Sequence, residues 1–289
     1  MSFKQSVKEI LSNHFQRDIE ILGYNSVGGG SINHAFKIKT DEGEYFVKTN
    51  SKNRFPQMFQ KEAMGLEILA KANCIGVPKI ICYDDIEDDS FLILDFIDSA
   101  YKSDNFWDDF AEKLACLHKN SNSQFGLDHD NYIGSLVQYN DFKNTWAEFF
   151  AEQRLEKQLK LAFDSLSIDK SVLPYFERFY LRLDEIFPQE KPSLVHGDLW
   201  SGNFMTGSDA KAVIIDPAVY YGHREMDLGM SLLFGGFSNQ FYESYNRYFP
   251  LEKGWEQRME YCNLYPLLVH VNLFGGGYAS SVKSIISKF

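Results

Sequence analysis

The sequence predicts an α+β chain in two lobes: a small N-terminal lobe over residues 1–97 built on a five-stranded antiparallel sheet, and a larger, mostly helical lobe over residues 98–289. Three observations carry this. Short apolar runs separated by turn residues fill residues 19–97, which is strand and hairpin patterning. From residue 104 onward the apolar positions recur at helical spacing instead. One stretch, residues 194–217 (LVHGDLWSGNFMTGSDAKAVIIDP), interrupts the helices with two short apolar runs and sets polar side chains just beyond their ends.

Taken in order, residues 5–15 place Val7, Ile10, Leu11 and Phe15 on one helical face. Residues 19–22, 35–39 and 45–48 then read as an antiparallel meander, with a glycine-rich segment at 27–31 and a turn at 41–43. A helix follows over 57–71, with Met58, Ala63, Leu66, Ile68 and Leu69 apolar. Residues 77–83 and 90–97 are two further strands around an acidic turn at 84–89, and Asp95, Phe96 and Ile97 form the connection to the second lobe. In that lobe helices are expected over 107–118, 146–163, 172–187 and 264–274, with residues 126–140 as a loop beside a cleft and residues 275–277 a glycine break near the end. No internal repeat or low-complexity segment is present.

Composition narrows the function. With 289 residues and 44% hydrophobic content the chain can fill a substantial core, which excludes a disordered protein. A net charge of −11 argues against a general affinity for nucleic acid or an anionic membrane and leaves room for a neutral or cationic small substrate. Residues 1–15 lack the continuous apolar core of a signal peptide, and no run approaches the roughly 20 apolar residues of a membrane span. A cytoplasmic protein is the expectation. Cys74, Cys82, Cys116 and Cys262 show no CxxC spacing, so neither a zinc site nor a disulfide framework is suggested and reduced thiols are expected.

The chemistry concentrates in residues 194–217. Asn203 lies five positions after Asp198, and Asp216 thirteen beyond that. This suits phosphoryl transfer to an alcohol: one carboxylate, Asp198, accepts the hydroxyl proton, while Asn203 and Asp216 offer oxygen to the magnesium carried by ATP. Any one of these residues could instead simply shape a turn or end a strand. Upstream, Gly28, Gly29, Gly30 and Ser31 could lie over phosphates through their backbone amides, or be no more than a flexible hairpin tip. Lys48 would reach the phosphates and Glu62 on the next helix would pair with it, with Glu67 the second choice. An exposed pair there would contribute little. The backbone of Asp95, Phe96 and Ile97 is placed to bond an adenine edge, or is an ordinary strand end. Trp200 could stack on a sugar ring or pack in the core. Asp227 could cap a helix or brace the loop that holds Asp198.

HGDLWSGN at 196–203, DPAVYYGHREMDLGM at 216–230 and VGGGSINHAF at 27–36 resemble the fructosamine-3-kinase (ketosamine-3-kinase) family, over essentially the whole chain and in order. The resemblance implies a bilobal, protein-kinase-like fold shared with aminoglycoside phosphotransferases, and ATP- and magnesium-dependent phosphorylation of the sugar 3-hydroxyl of ketosamines. The acceptor would be a fructosamine or ribulosamine, free or protein-linked. By position it implies Asp198 as proton acceptor, Asn203 and Asp216 on magnesium, Lys48 with Glu62 on phosphates, and 95–97 on adenine. Some relatives carry cysteine in the glycine-rich loop where this chain has Ser31, so a redox switch there is not expected. Two other readings stay open: a kinase of the aminoglycoside, choline or homoserine type, and a nucleotide-binding module without catalysis. The sequence leaves self-association open, with a monomer the expectation.

Overall fold

The computed structural model describes residues 1–28 and 32–289. The first helix, α1 (Phe3–Phe15), begins at a capping box: the Gln5 amide donates to Ser2 Oγ, and the Ser2 amide donates to the Gln5 side chain. After it come β1 (Ile21–Ser26), β2 (His34–Thr40), β3 (Glu44–Ser51), α2 (Met58–Ala72), β4 (Ile80–Ile86) and β5 (Asp89–Asp95). The strands form one five-stranded antiparallel sheet in the order β1-β2-β3-β5-β4. The acidic turn is tighter than expected, because strand pairing continues to Ile86 opposite Asp89 and leaves only Glu87 and Asp88 to turn the chain.

The continuous apolar run of β5 follows from its surroundings. Phe91 and Ile93 face α1 together with Val7, Ile10, Leu11, Ile38 and Val47. Leu92 and Leu94 face α2 with Phe59, Ala63 and Leu66. A strand covered on both sides has no solvent face to make polar, and each such side chain contributes about 1.5–3 kcal/mol on burial.

The large lobe starts with α3 (Phe106–His118), followed by the hairpin β6 (Asn131–Ile133) and β7 (Leu136–Gln138). That hairpin replaces the loop expected over 126–140. The helix expected over 146–163 is present but not uniform. It runs as α4 (Trp146–Phe149), a wide π-helical turn at Phe150–Leu155, and α5 (Glu156–Asp164). The region expected as one helix at 172–187 is divided into α6 (Leu173–Tyr180) and α7 (Leu183–Ile186). Next come four three-residue strands, β8 (Ser193–Val195), β9 (Phe204–Thr206), β10 (Ala212–Ile214) and β11 (Tyr220–Gly222), paired β8 with β11 and β9 with β10. Helices α8 (Glu225–Leu233), α9 (Asn239–Tyr248), α10 (Trp255–Cys262), α11 (Leu264–Phe274) and α12 (Tyr278–Ile286) complete the chain, with the glycine break at 275–277 between the last two. No helix among the described residues is long and apolar enough to cross a membrane.

Two features join the lobes at the end of α2. Leu69 and Ile75 belong to the core of the large lobe, and the Ile214 amide donates to the Gly76 carbonyl (2.9 Å). Cys74 is disulfide-bonded to Cys116 in the last turn of α3, 42 positions away. This corrects the expectation of four reduced thiols: Cys82 and Cys262 are free, but folding brings the other two together across a distance that spacing does not register.

Candidate functional site

The site is assembled from strand ends. Asp198 follows β8, Asn203 precedes β9, and Asp216 follows β10. The carboxylate of Asp198 and its backbone carbonyl both accept from Asn203 Nδ2, each at 2.9 Å. This turns the Asn203 oxygen away from Asp198 and leaves it available to a cation. Burial pushes the Asp198 carboxyl up to about 7; the Asn203 amide opposes this, and the charges of Asp216 and Asp227 reinforce it.

Asp216 has φ +54°, a left-handed conformation that Asp tolerates better than most residues but still at a cost. Its Oδ1 accepts from Lys48 Nζ at 2.7 Å. Lys48, on β3, also donates to Glu62 on α2 at 2.7 Å, so the expected pair is formed and Asp216 joins it. Burial alone would lower the Lys48 pKa, but the charges of Asp216 and Glu62 outweigh it and hold the ammonium protonated, above its ordinary range. Glu67 is exposed and turns instead to Lys71 (3.9 Å).

Two devices fix the Asp198 loop. Asp227, in the first turn of α8, accepts from the His196 amide (2.7 Å), the Gly197 amide (2.9 Å) and His118 Nε2 (3.1 Å). It therefore braces the loop rather than capping the helix. Burial opposes its ionisation, yet the His118 hydrogen bond, the neighbouring histidine rings and the Gly197 amide together lower its pKa. His196 accepts from the Asp198 amide at Nδ1 (3.3 Å) and donates from Nε2 to the Ile215 carbonyl (2.9 Å), so the neutral ring spans both loops. Burial lowers its pKa, in keeping with that state. Between them, Gly197 (φ +84°) crosses so near the segment after Asp216 that a Cβ would stand 2.0 Å from the Ala218 oxygen. Only glycine fits there.

Gly28 is exposed just after β1; Gly29, Gly30 and Ser31 lie outside the described residues. Asp95, Phe96 and Ile97 are half-buried at the end of β5, where the Asp95 amide donates to the Lys79 carbonyl (2.9 Å) and the Phe96 amide to the Glu44 carbonyl (3.3 Å). Trp200 is half-buried and folded over Gly202, with its ring 5.9 Å from Phe234. Phe234 in turn lies 4.8 Å from His270. His270 lines a cavity beside Asp198 together with Ile133, Met226, Met230, Tyr265 and Val269. Ile133, on β6, lies in the segment expected beside a cleft; the other wall residues were not expected from sequence. They come from α8 and α11, and nothing in their local pattern separates a cavity wall from a core.

A five-stranded sheet with a lysine and glutamate pair, joined to a helical lobe that carries an Asp, Asn and Asp loop, defines the class of kinase-like phosphotransferases. A thermostable form of aminoglycoside phosphotransferase APH(4)-Ia, solved with ADP and hygromycin B, shares the fold at a TM-score of 0.64 and 17% identity, over 98% of each chain. Within that class the chain belongs to the fructosamine kinase family, whose model matches residues 3–289. It is 39% identical over 288 residues to a probable ketoamine kinase of Synechocystis sp., covering 98% of this chain and 96% of that one. It is also 39% identical over 283 residues to a chloroplastic protein-ribulosamine 3-kinase of Arabidopsis thaliana, covering 93% and 83%. A crystal structure described as a "putative fructosamine-3-kinase" from Haemophilus somnus 129PT is 31% identical, covers 99% of this chain and 97% of its own, and superposes with a TM-score of 0.89.

Proposed function

We propose that this protein transfers the γ-phosphoryl group of ATP to the sugar 3-hydroxyl of ketosamines, fructosamines or ribulosamines, free or linked to protein. The observation that carries this reading is a pair of hydrogen-bonded clusters drawn from both lobes, Asp198 with Asn203 and Lys48 with Glu62 and Asp216, on neighbouring loops that the Ile215 amide joins by donating to the Asn203 carbonyl (3.0 Å). Asp198 takes the hydroxyl proton. Its raised pKa suits a carboxylate that must hold that proton in the transition state. Lys48, steadied by Glu62, places its ammonium on the phosphates.

The donor set fits magnesium, which prefers oxygen: the Asn203 amide oxygen is turned outward by its nitrogen's bonds to Asp198, and Asp216 is partly exposed. Bound there by Asn203 and Asp216, the ion would neutralise charge on the transferring group. Asp95, Phe96 and Ile97 bond adenine; because the first two amides are engaged in the sheet, this falls to the carbonyls and the Ile97 amide. Gly28, Gly29, Gly30 and Ser31 cover the phosphates. Trp200 begins an aromatic row through Phe234 to His270 at the cavity beside Asp198, which suits the flat face of a sugar ring.

The lobes divide at residue 97, the chain acts in the cytoplasm, and it is a monomer. The relatives' names, ketoamine kinase and protein-ribulosamine 3-kinase, support this acceptor class over aminoglycosides, choline or homoserine. The test is ADP release by the purified protein with Mg-ATP and fructosyl-lysine or ribulosyl-lysine, with Asp198→Ala as control. Transfer no faster than that control rejects the reading, and kcat/KM across the other alcohols ranks the alternatives.

A further inference from the structure

Behind the segment that follows Asp216 lies a group of fully buried polar side chains that the site as described does not use: Asn131, Gln138, Asn140 and Arg154. Arg154 is held there by the π-helical turn. In that turn Gln153, Arg154 and Leu155 are all buried. Its guanidinium lies 3.9 Å over the Tyr220 ring and donates to the Tyr139 carbonyl (2.5 Å), the Gln153 carbonyl (3.2 Å) and Asn140 Oδ1 (2.8 Å). No carboxylate accepts from it among the described residues.

A guanidinium only donates, and this fixes the amides beyond it one after another. Asn140 must turn its oxygen to Arg154, so its nitrogen donates to the His129 carbonyl (3.0 Å) and Asn131 Oδ1 (3.1 Å). Asn131 Oδ1 also accepts from Gln138 Nε2 (2.8 Å), which leaves Asn131 Nδ2 to donate to the Val219 carbonyl (2.8 Å). Gln138 Nε2 donates as well to the Ala218 carbonyl (2.9 Å), and its Oε1 is left to accept from the Tyr265 hydroxyl (2.8 Å). Reversing Asn131 or Gln138 would set oxygen against a backbone carbonyl in a buried place, which is costly.

The far end of this chain touches both halves of the site. The Ala218 amide donates to the His196 carbonyl (2.9 Å), and Gly197 is packed against the Ala218 oxygen, so the place of Ala218 sets the separation between the Asp198 and Asp216 loops. Tyr265 stands with Asp198 on the cavity wall. We propose that Gln138 is a positioning residue for phosphoryl transfer: its nitrogen holds the segment leaving Asp216, its oxygen holds Tyr265 on the acceptor wall, and Arg154 dictates which end faces which. The proposal rests on the ketosamine kinase reading for its kinetic consequences, but not for its structural ones.

The test compares Gln138→Leu, Tyr265→Phe, Arg154→Lys and Arg154→Met with the wild type in kcat, in KM for Mg-ATP and for fructosyl-lysine, and in Tm. It adds hydrogen exchange of peptides covering 196–199 and 216–220. Tyr265→Phe, which loses one tether, raises the acceptor KM roughly fivefold with the Mg-ATP KM unchanged. Gln138→Leu lowers kcat about tenfold or more, since small misplacements of reacting groups are expensive, and speeds exchange at 216–220. Arg154→Lys, still a pure donor, restores most of what Arg154→Met loses. If Gln138→Leu does not fold, the Tyr265 and Arg154 variants decide the matter in the same way. A loss of Tm with kcat, both KM values and exchange at 216–220 unchanged would make the network merely structural and overturn the proposal. If the wild type phosphorylates no ketosamine, the substrate reading falls, and the exchange experiment alone decides: faster exchange at 216–220 supports the network's role, and unchanged exchange overturns it.

Discussion

Removing the Cys74–Cys116 bond by the double substitution Cys74→Ser, Cys116→Ser opens a ring closed across 42 positions. That ring runs through β4, β5, the connection at 95–97 and α3, so it joins the lobes a second time. In the chain-entropy account a loop of 42 residues restricts the unfolded state by about 4 kcal/mol at 25 °C. For a chain of this size that corresponds to a fall in Tm on the order of 10 °C. Cys116 is exposed and Cys74 partly so, and a reductant in solution can therefore reach the bond. The assay is thermal unfolding of wild type and double variant, each with and without dithiothreitol. Reductant is expected to bring the wild type down to the variant and to leave the variant where it is, since Cys82 and Cys262 have no bond to lose. Alkylation of Cys74 and Cys116 in protein unfolded without reductant, or a wild-type Tm indifferent to dithiothreitol, would refute the reasoning.

Asp198→Asn is expected to keep ATP affinity while lowering kcat by roughly 10² or more, read by calorimetry and ADP release; near-normal turnover would remove Asp198 from the base role. Asp216→Asn should instead raise the magnesium concentration needed for half-maximal rate, because it replaces the charged ligand. The pH profile has a definite sign. A base must be unprotonated, and burial places the free Asp198 at about 7, so kcat/KM for Mg-ATP should fall on the acid side of that pH. Glu62→Gln leaves Lys48 with one charged partner and should lower stability by roughly 1.5–3 kcal/mol while raising the Mg-ATP KM.

The sequence made legible whatever rests on local pattern or on chemically unusual spacing. The apolar run at 90–97 read as a strand, and α1 and α2 cover its two faces. Lys48 and Glu62, fourteen positions apart, meet because one hairpin edge and one helix turn place them so. The Asp198 loop was recognisable because few folds need HGD, Asn and DP in that order. Less legible was whatever depends on which distant side chain arrives. Lys48 reaches Asp216 across 168 positions, and the disulfide and the cavity wall of Met226, Tyr265 and His270 are of the same kind. Gln138 and Asn140 sat in a segment expected to be a loop beside a cleft, and Arg154 in an expected helix where nothing marked it as buried with Gln153 and Leu155. Both depart from expectation for one reason: a polar residue and a surface residue look alike in sequence until a buried partner is known.

The same distinction explains how the site is held. Asp198, Asn203 and Asp216 adjoin strands of three residues, too short to be rigid through their own ladders. Precision has to come from behind. Asp227 supplies it for the Asp198 loop through two backbone amides, with His118 and Tyr245 in line beyond (2.7 Å between ring nitrogen and hydroxyl). Asn131 and Gln138 supply it for the Asp216 loop through two backbone carbonyls. One loop is thus fixed by an acceptor and the other by donors, and Gly197 lets them touch at Ala218. Because every one of these supports is buried, loosening one leaves an unmatched polar group in the core as well as a displaced catalytic side chain. Stability and rate are therefore expected to fall together at Asp227, whereas at Asp198, whose carboxylate accepts from the Asn203 side chain and holds no backbone group, rate falls with little loss of stability.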